Sequence, residues 1–340
     1  MAAITPIVRP GAVNGAADAA VSLLKVFGGE VLATFEETNV MMGLTRTKAV
    51  GGNAVSWNFP VLGTALTDYH TPGENLLTES GYLNTILGGE RTISADKLLT
   101  STVFIDKLDM MLNHWDARAE YSRELGRALA KTVDINLLRV LFNAAHVTAG
   151  SLFTASPGGQ LVISATGDTD PGQFVASIFA LKQAFDEDDV PKNDRVLVMS
   201  PAQMRLLFAS ATAVASGLEW INADYTPGGN GRGLREGTVP RLAGFDLVET
   251  NHIDTGVGTF GDSTNAFSAT ADNNYEYTLG AGENIVAMGF QREAIGTVKI
   301  GDMAVESEYK IEYQGDVLVA KMALGHGILR PECAGTIQKA

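Results

Sequence analysis

The spacing of apolar and polar residues changes repeatedly along the chain, and each change marks an element. Residues 1–20 are small and weakly periodic (Gly11, Gly15, Ala16, Ala17, Ala19, Ala20) and read as an extended arm. An amphipathic stretch from Val21 to Phe35 follows, broken at Gly28-Gly29. From Ala54 to Phe59 the pattern alternates and places Val55, Trp57 and Phe59 on one face, as a strand requires. Pro60, Pro72-Gly73 and Gly88-Gly89 then punctuate a loop-rich segment, and Arg91 to Ile105 resumes extended character. Residues 51–105 therefore predict a long hairpin with a wide, glycine-punctuated tip. Such a tip has too few apolar anchors for a core of its own and needs something else to lie on.

The strongest period comes next. Asp106, with Asp109 three residues on, resembles a capping box with carboxylate in place of hydroxyl. Apolar residues then recur along one helical face, from Leu108, Leu112 and Trp115 through Leu125, Leu129 and Val133 to Leu137 and Leu141. Glu120 with Arg123, Glu124 with Arg127 and Lys131 with Asp134 are spaced as charge pairs on its other faces. An unbroken helix from Asp106 to His146 would be roughly 60 Å long. A compact ball of 340 residues is only about 50 Å across, so an elongated or plate-like subunit is expected.

Beyond it, Leu161 to Ser164 suggests a strand. Asp170-Pro171-Gly172-Gln173 spells a helix start, with Asp as N-cap, Pro at the first helical position and Gln in the capping-box place. That helix carries Phe174, Ile178, Leu181 and Phe185. Arg195 to Met199 reads as a buried strand, and Ser200-Pro201-Ala202-Gln203 repeats the helix-start grammar. Residues 216–241 form a long irregular loop before strands resume at Gly244–Thr250, Tyr275–Leu279 and Ile285–Phe290. Alternating segments, Thr297–Glu306 and Tyr309–Met322, follow. The fold class is α+β, with no regular βαβ alternation to suggest a dinucleotide fold.

Composition changes the picture in two ways. The 340 residues are 19% charged, where about 25% is usual, and include 37 glycines, above the roughly 7% norm. This is expected where much of the surface is covered by partners and the backbone bends at many points; an ordinary Ala- and Gly-rich chain is the alternative. The 39 acidic against 25 basic residues leave a net charge of −14, which argues against gripping nucleic acid through a basic surface. The single cysteine, Cys333, excludes an internal disulfide framework and any multi-cysteine metal site. No apolar run approaches the roughly 18 residues of a membrane span. Met1 to Asn14 has only Arg9 as a charge and no signal-like apolar core, so a soluble, cytoplasmically made protein is expected.

Catalytic chemistry is hard to find. His70, His114, His146, His252 and His326 are scattered, with no HExxH or paired-ligand spacing, and no metal or cofactor is expected. Asp186-Glu187-Asp188-Asp189 could chelate a cation but reads better as a solvated turn closing a helix. Gly228 to Gly233 lacks the Lys and Ser/Thr of a P-loop and the strand-turn-helix setting of a Rossmann fingerprint. There is no GxSxG elbow, and Cys333 is expected near a mobile end, a poor place for a nucleophile. No enzyme is indicated.

Seven strings, taken together and in order, resemble one family. They are Lys25-Val26-Phe27-Gly28-Gly29-Glu30-Val31-Leu32, Phe59-Pro60-Val61-Leu62-Gly63 and Pro72-Gly73-Glu74-Asn75-Leu76. On the long helix comes Met111-Leu112-Asn113-His114-Trp115-Asp116-Ala117-Arg118-Ala119-Glu120-Tyr121. Gly244-Phe245-Asp246-Leu247-Val248-Glu249, Ala294-Ile295-Gly296-Thr297-Val298-Lys299 and Gly325-His326-Gly327-Ile328-Leu329-Arg330-Pro331-Glu332 complete the set. The family is the major capsid protein of T7-like short-tailed bacteriophages, with the HK97-like capsid fold. Any one string is weak, but seven spanning residues 25–332 are specific.

The resemblance implies an N-terminal arm at 1–50, an E-loop at 51–100 that lies over a neighbour, and a P-domain at 101–189 whose spine helix is about 106–146. It further implies an A-domain at 190–295 and C-terminal strands at 296–340 that return to the P-domain. Implied partners are copies of the chain in pentamers and hexamers, a scaffolding protein, a portal at one vertex and packaged double-stranded DNA held by weak non-specific contact. The shell would assemble as a procapsid in the bacterial host cytoplasm, expand on packaging and end in the virion; a membrane is not expected. Trp57, Phe59, Glu74, Asn75, Arg330 and Glu332 are the candidate intersubunit contacts. An encapsulin-like cellular nanocompartment shell and a soluble enzyme are the rival readings.

Overall fold

The structure is a computed structural model. It describes residues 40–51, 54–63, 65, 67, 69–73, 75, 86–95, 98–108, 117–151, 156–212, 241–254, 258–260, 277–279, 283–300 and 304–339. Strands β1 (Arg46–Ala49), β2 (Ser56–Leu62), β3 (Gly88–Ser94) and β4 (Leu99–Asp106) precede helix α1 (Ala117–Ala145). Strand β5 (Gln160–Ile163), helix α2 (Pro171–Glu187), strand β6 (Arg195–Met199) and helix α3 (Pro201–Thr212) follow. Next come β7 (Arg241–Leu242), β8 (Phe245–Glu249), β9 (Gly258–Phe260), β10 (Tyr277–Leu279), β11 (Asn284–Gln291), β12 (Ile295–Lys299) and β13 (Ala304–Lys310). A 3-10 turn, Ile311–Tyr313, leads to β14 (Gly315–Met322), and β15 (Leu324–Ile328) and β16 (Ala334–Lys339) close the order.

The chain divides into two compact units. One comprises residues 1–39, 97–133 and 301–323, the other 40–96, 134–300 and 324–340. In the first, β13, β14 and β4 form a three-stranded antiparallel sheet in that order. Ile105, Leu318 and Ala320 from the sheet pack with Leu125 and Leu129 of α1, the helical stripe predicted by the apolar period.

In the second unit the largest sheet has the order β5-β16-β11-β6-β8-β7. It is mixed: β6 runs parallel to β8, and β5 to β16, while β11 is antiparallel to both its neighbours. Every residue of β6, Arg195–Met199, is buried, as its continuous apolar run predicts. Helix α2 begins where the sequence says it should. Asp170 is its N-cap, accepts the Gly172 N–H at 2.9 Å, and Pro171 opens the first turn. Its buried face, Phe174, Ile178, Leu181 and Phe185, meets the sheet. The approach is close because Gly289 of β11 and Gly335 of β16 are register partners, and a Cβ on either would run into a Leu181 methyl.

A smaller sheet, β1-β12-β15, and the antiparallel hairpin β2–β3 complete the second unit, with the short pair β9–β10. The expected hairpin therefore exists, but its second half ends at Ser94; the extended segment beyond, β4, pairs with β14 instead. The expected C-terminal block 296–340 also divides. Strands β13 and β14 pair with β4, whereas β15 pairs with β12, and β16 lies between β5 and β11. Of the expected spine helix the structure describes 117–145, and 109–116 lie outside the described residues. The irregular loop expected at 216–241 and the strings at 25–32 and 111–121 fall wholly or largely outside them too.

Candidate assembly surface

The root of the β2–β3 hairpin is where apolar side chains reach the core. Alternation along β2 points Phe59 and Val61 inward, both buried, and Phe59 joins Val50, Ile93, Val298 and Leu329 in one cluster. That cluster ties the hairpin to β12 and to the segment after β15. Glycine makes the seat possible at Gly325, where a Cβ would collide with the Ser94 carbonyl at the end of β3.

Farther out the hairpin turns apolar residues to solvent: Leu62 is 70% exposed, Ile86 53% and Leu87 44%. The pairing continues to Gly63, whose N–H donates to the Leu87 carbonyl at 2.7 Å. Exposed aliphatic residues on a two-stranded ribbon are an unfinished hydrophobic contact, since such a ribbon is marginal in water by itself.

Beside the root lies a cleft of about 230 Å³, lined by Arg46, Phe59, Pro60, Val61, Leu62, Glu293, Leu329 and Arg330. Two ion pairs frame it. Arg46 donates to Glu293 at 2.6 Å, and Arg330 Nε donates to Glu332 Oε1 at 2.7 Å. Glu332 is buried, and burial works against the Arg330 charge, but the Glu332 carboxylate more than offsets this and keeps the guanidinium protonated. The cations of β1 also cover the aromatics of β2: Arg46 lies 5.6 Å from the Phe59 ring centroid and Lys48 Nζ 4.8 Å from that of Trp57.

Of the six residues singled out from sequence, the structure brings Phe59 and Arg330 into this one cleft, with Glu332 bonded behind Arg330. Trp57 sits on the same face of β2, 40% exposed under Lys48. Asn75 is exposed and outside any described strand, and Glu74 lies outside the described residues. Arg46, Leu62 and Glu293 were missed. Arg46 and Lys48 alternate in Arg46-Thr47-Lys48-Ala49, a pattern that marks a basic strand face, but nothing local points to Glu293, 247 positions from Arg46.

The candidates for other chemistry resolve differently. Cys333 is not at a mobile end: it is buried just ahead of β16, and burial, with Glu332 nearby, pushes its thiol up to about 12. Asp186 is not merely a solvated end of a helix. It pairs at 2.8 Å with Arg195, whose side chain is buried, and the Arg195 hydrogen bond holds its carboxyl below the ordinary range. Asp188 accepts from Gln160, and burial raises its carboxyl. Among the described residues, no group of three or more His, Cys, Asp or Glu could hold a metal ion.

Residues 58–338, from β2 to the end of β16, match the family model described as Gp10A-like major capsid protein. The chain belongs to this family. It is 34% identical to the major capsid protein of Enterobacteria phage T3, covering 95% of this chain and 93% of that one. To the major capsid protein of Escherichia phage T7 it is 29% identical, over 96% and 94% of the two chains. The capsid structure of the cyanophage P-SCSP1u superposes with a TM-score of 0.73 at 29% identity, covering 100% and 99%. The fold is thus the HK97-like fold of phage capsid subunits, and the chain is a structural capsid protein of a phage virion. Leu62, Ile86 and Leu87 thus leave apolar area exposed toward the outer end of this ribbon.

Proposed function

We propose that this chain closes an icosahedral head around double-stranded DNA by packing its β2–β3 hairpin onto the next copy, in pentamers and hexamers. The observation that carries the reading is the hairpin itself: rooted by Phe59 and Ile93 in its own subunit, yet apolar and exposed at Leu62, Ile86 and Leu87. A contact from the hairpin of one copy to a different surface of the next is heterologous, and heterologous contacts close into rings when the rotation between copies is a simple fraction of a turn. Many weak contacts of this kind add up once the lattice closes.

The segment names follow from the same reading: arm 1–50, E-loop 51–100, P-domain 101–189, A-domain 190–295 and returning strands 296–340. Pairing of β4 with β13–β14 beside α1 supports a P-domain built from both ends of that scheme; β16 then belongs with the large sheet of β6, β8 and β11, and β15 with β1 and β12. Assembly proceeds in the host cytoplasm through a scaffolded procapsid with a portal, which expands on packaging. The protein has no catalytic task. Its −14 charge suits a wall that binds DNA too weakly to stall packaging or ejection.

Electron microscopy of the chain co-expressed with a scaffolding partner tests this. Closed shells are expected from the wild type, and soluble subunits without closed shells from the paired substitution Leu62→Asp and Leu87→Asp. Normal shells from that variant would refute the hairpin contact, and small discrete oligomers from the wild type would refute the shell reading.

A further inference from the structure

One buried carboxylate has no part in the sheets or the cleft. Asp134 lies in the middle of α1, at 1% exposure, and is the first residue of that helix in the second compact unit. Its two oxygens accept backbone N–H groups from a segment more than ninety positions earlier: Val40 at 3.0 Å and Met41 at 3.2 Å. The ring of His252 approaches the same carboxylate, Nδ1 to Oδ2 at 3.5 Å. His252 is itself seated, its backbone N–H donating to Thr250 Oγ1 at 3.2 Å.

This arrangement is costly unless it holds something. A buried carboxylate is disfavoured, and burial raises the Asp134 carboxyl above its ordinary range, while the two amides and His252 draw it back. What it holds is the turn leading into β1: Met41 is fully buried, the Leu44 N–H donates to the Met41 carbonyl, and Thr45 is buried behind. A carboxylate accepting two successive amides is a strong, directional grip, because both bonds are charge-assisted and fix two adjacent peptide planes.

We propose that Asp134 is a clasp which pins Val40 and Met41 to α1, so that the chain enters β1 from one fixed point, and an arm reaching a neighbouring subunit would start in one register. The second half rests on the assembly reading above; the clasp itself does not. Asp134 is a positioning residue, with His252 as its support.

Hydrogen exchange followed by mass spectrometry on full-length subunits tests the clasp, using Asp134→Asn, which keeps the side chain's size but replaces one acceptor oxygen with a donor. The amides of residues 40 and 41 are expected to exchange about 10- to 100-fold faster, with β6 amides unchanged within about twofold. Wild-type exchange at 40 and 41 would overturn the clasp. So would acceleration of β6 in step with them, since that is loss of global stability and not local release. Co-expression with a scaffolding partner tests the second half: fewer closed shells from Asp134→Asn support it. Normal shells from subunits with faster exchange at 40 and 41 refute the role in the arm and leave the clasp standing.

Discussion

Acidification should strike this subunit first at His326. The ring lies in β15 at 1% exposure, with Nδ1 3.0 Å from Thr297 Oγ1 on the neighbouring strand β12, its register partner. Burial pushes the imidazole down to about 3 from its ordinary 6.5. The folded pKa is depressed, so the unfolded chain binds the extra proton. The neutral ring's contribution is therefore complete above 6.5 and falls as the pH drops from 6.5 toward 3. Between those limits the slope is about 1.4 kcal/mol per pH unit. From pH 7.5 to pH 5.0 the loss from this one group is about 2 kcal/mol, a large share of a domain's margin. The assay is urea unfolding of wild type and His326→Gln at both pH values. The variant can still meet the Thr297 hydroxyl but cannot titrate, and all other ionisable groups are common to the two proteins and cancel in the difference. The wild type should lose about 2 kcal/mol more than the variant over that interval, whatever the variant's own offset. Parallel losses would refute the reasoning and mean that the ring gains solvent or a counter-charge before the chain unfolds.

Two further predictions concern packing. Phe59→Ala removes the largest side chain of the hairpin-root cluster and should cost about 3–5 kcal/mol, whereas Trp57→Ala, on the same face but half in water under Lys48, should cost about 1 kcal/mol; urea midpoints of the two variants check the ratio. Gly335→Ala should cost about 1–3 kcal/mol by forcing Leu181 off the sheet, while Gly51→Ala, with nothing within 4 Å of the added carbon, should stay within about 0.5 kcal/mol; thermal unfolding of the pair separates a packing constraint from a general cost of losing glycine.

Phe59 was readable from the sequence, and Gly335 was not. Alternation along β2 marked Phe59 as inward, and it packs, but Val55 and Trp57 of the same expected face stay largely exposed. The cap of α2 at Asp170-Pro171 and the wholly buried β6 were equally plain, since capping and apolar runs are chemistry among residues a few positions apart. The ordered strings carry the resemblance to the capsid family by themselves. What the glycines were for was not visible: Gly289 and Gly335 matter because β11 and β16 place them side by side under Leu181.

Taken alone, the sequence determined the elements and the family, because helix caps, periods and local strings depend only on neighbours in the chain. Tertiary structure decided the partnerships. It split the C-terminal strands among three sheets, buried Cys333 where a loose end was expected, set Glu293 against Arg46 and brought Asp134 to the amides of Val40 and Met41. Each of these joins segments far apart in sequence, where many pairings suit the local pattern equally well. Only the simultaneous filling of a core and the satisfaction of every buried donor and acceptor select one of them.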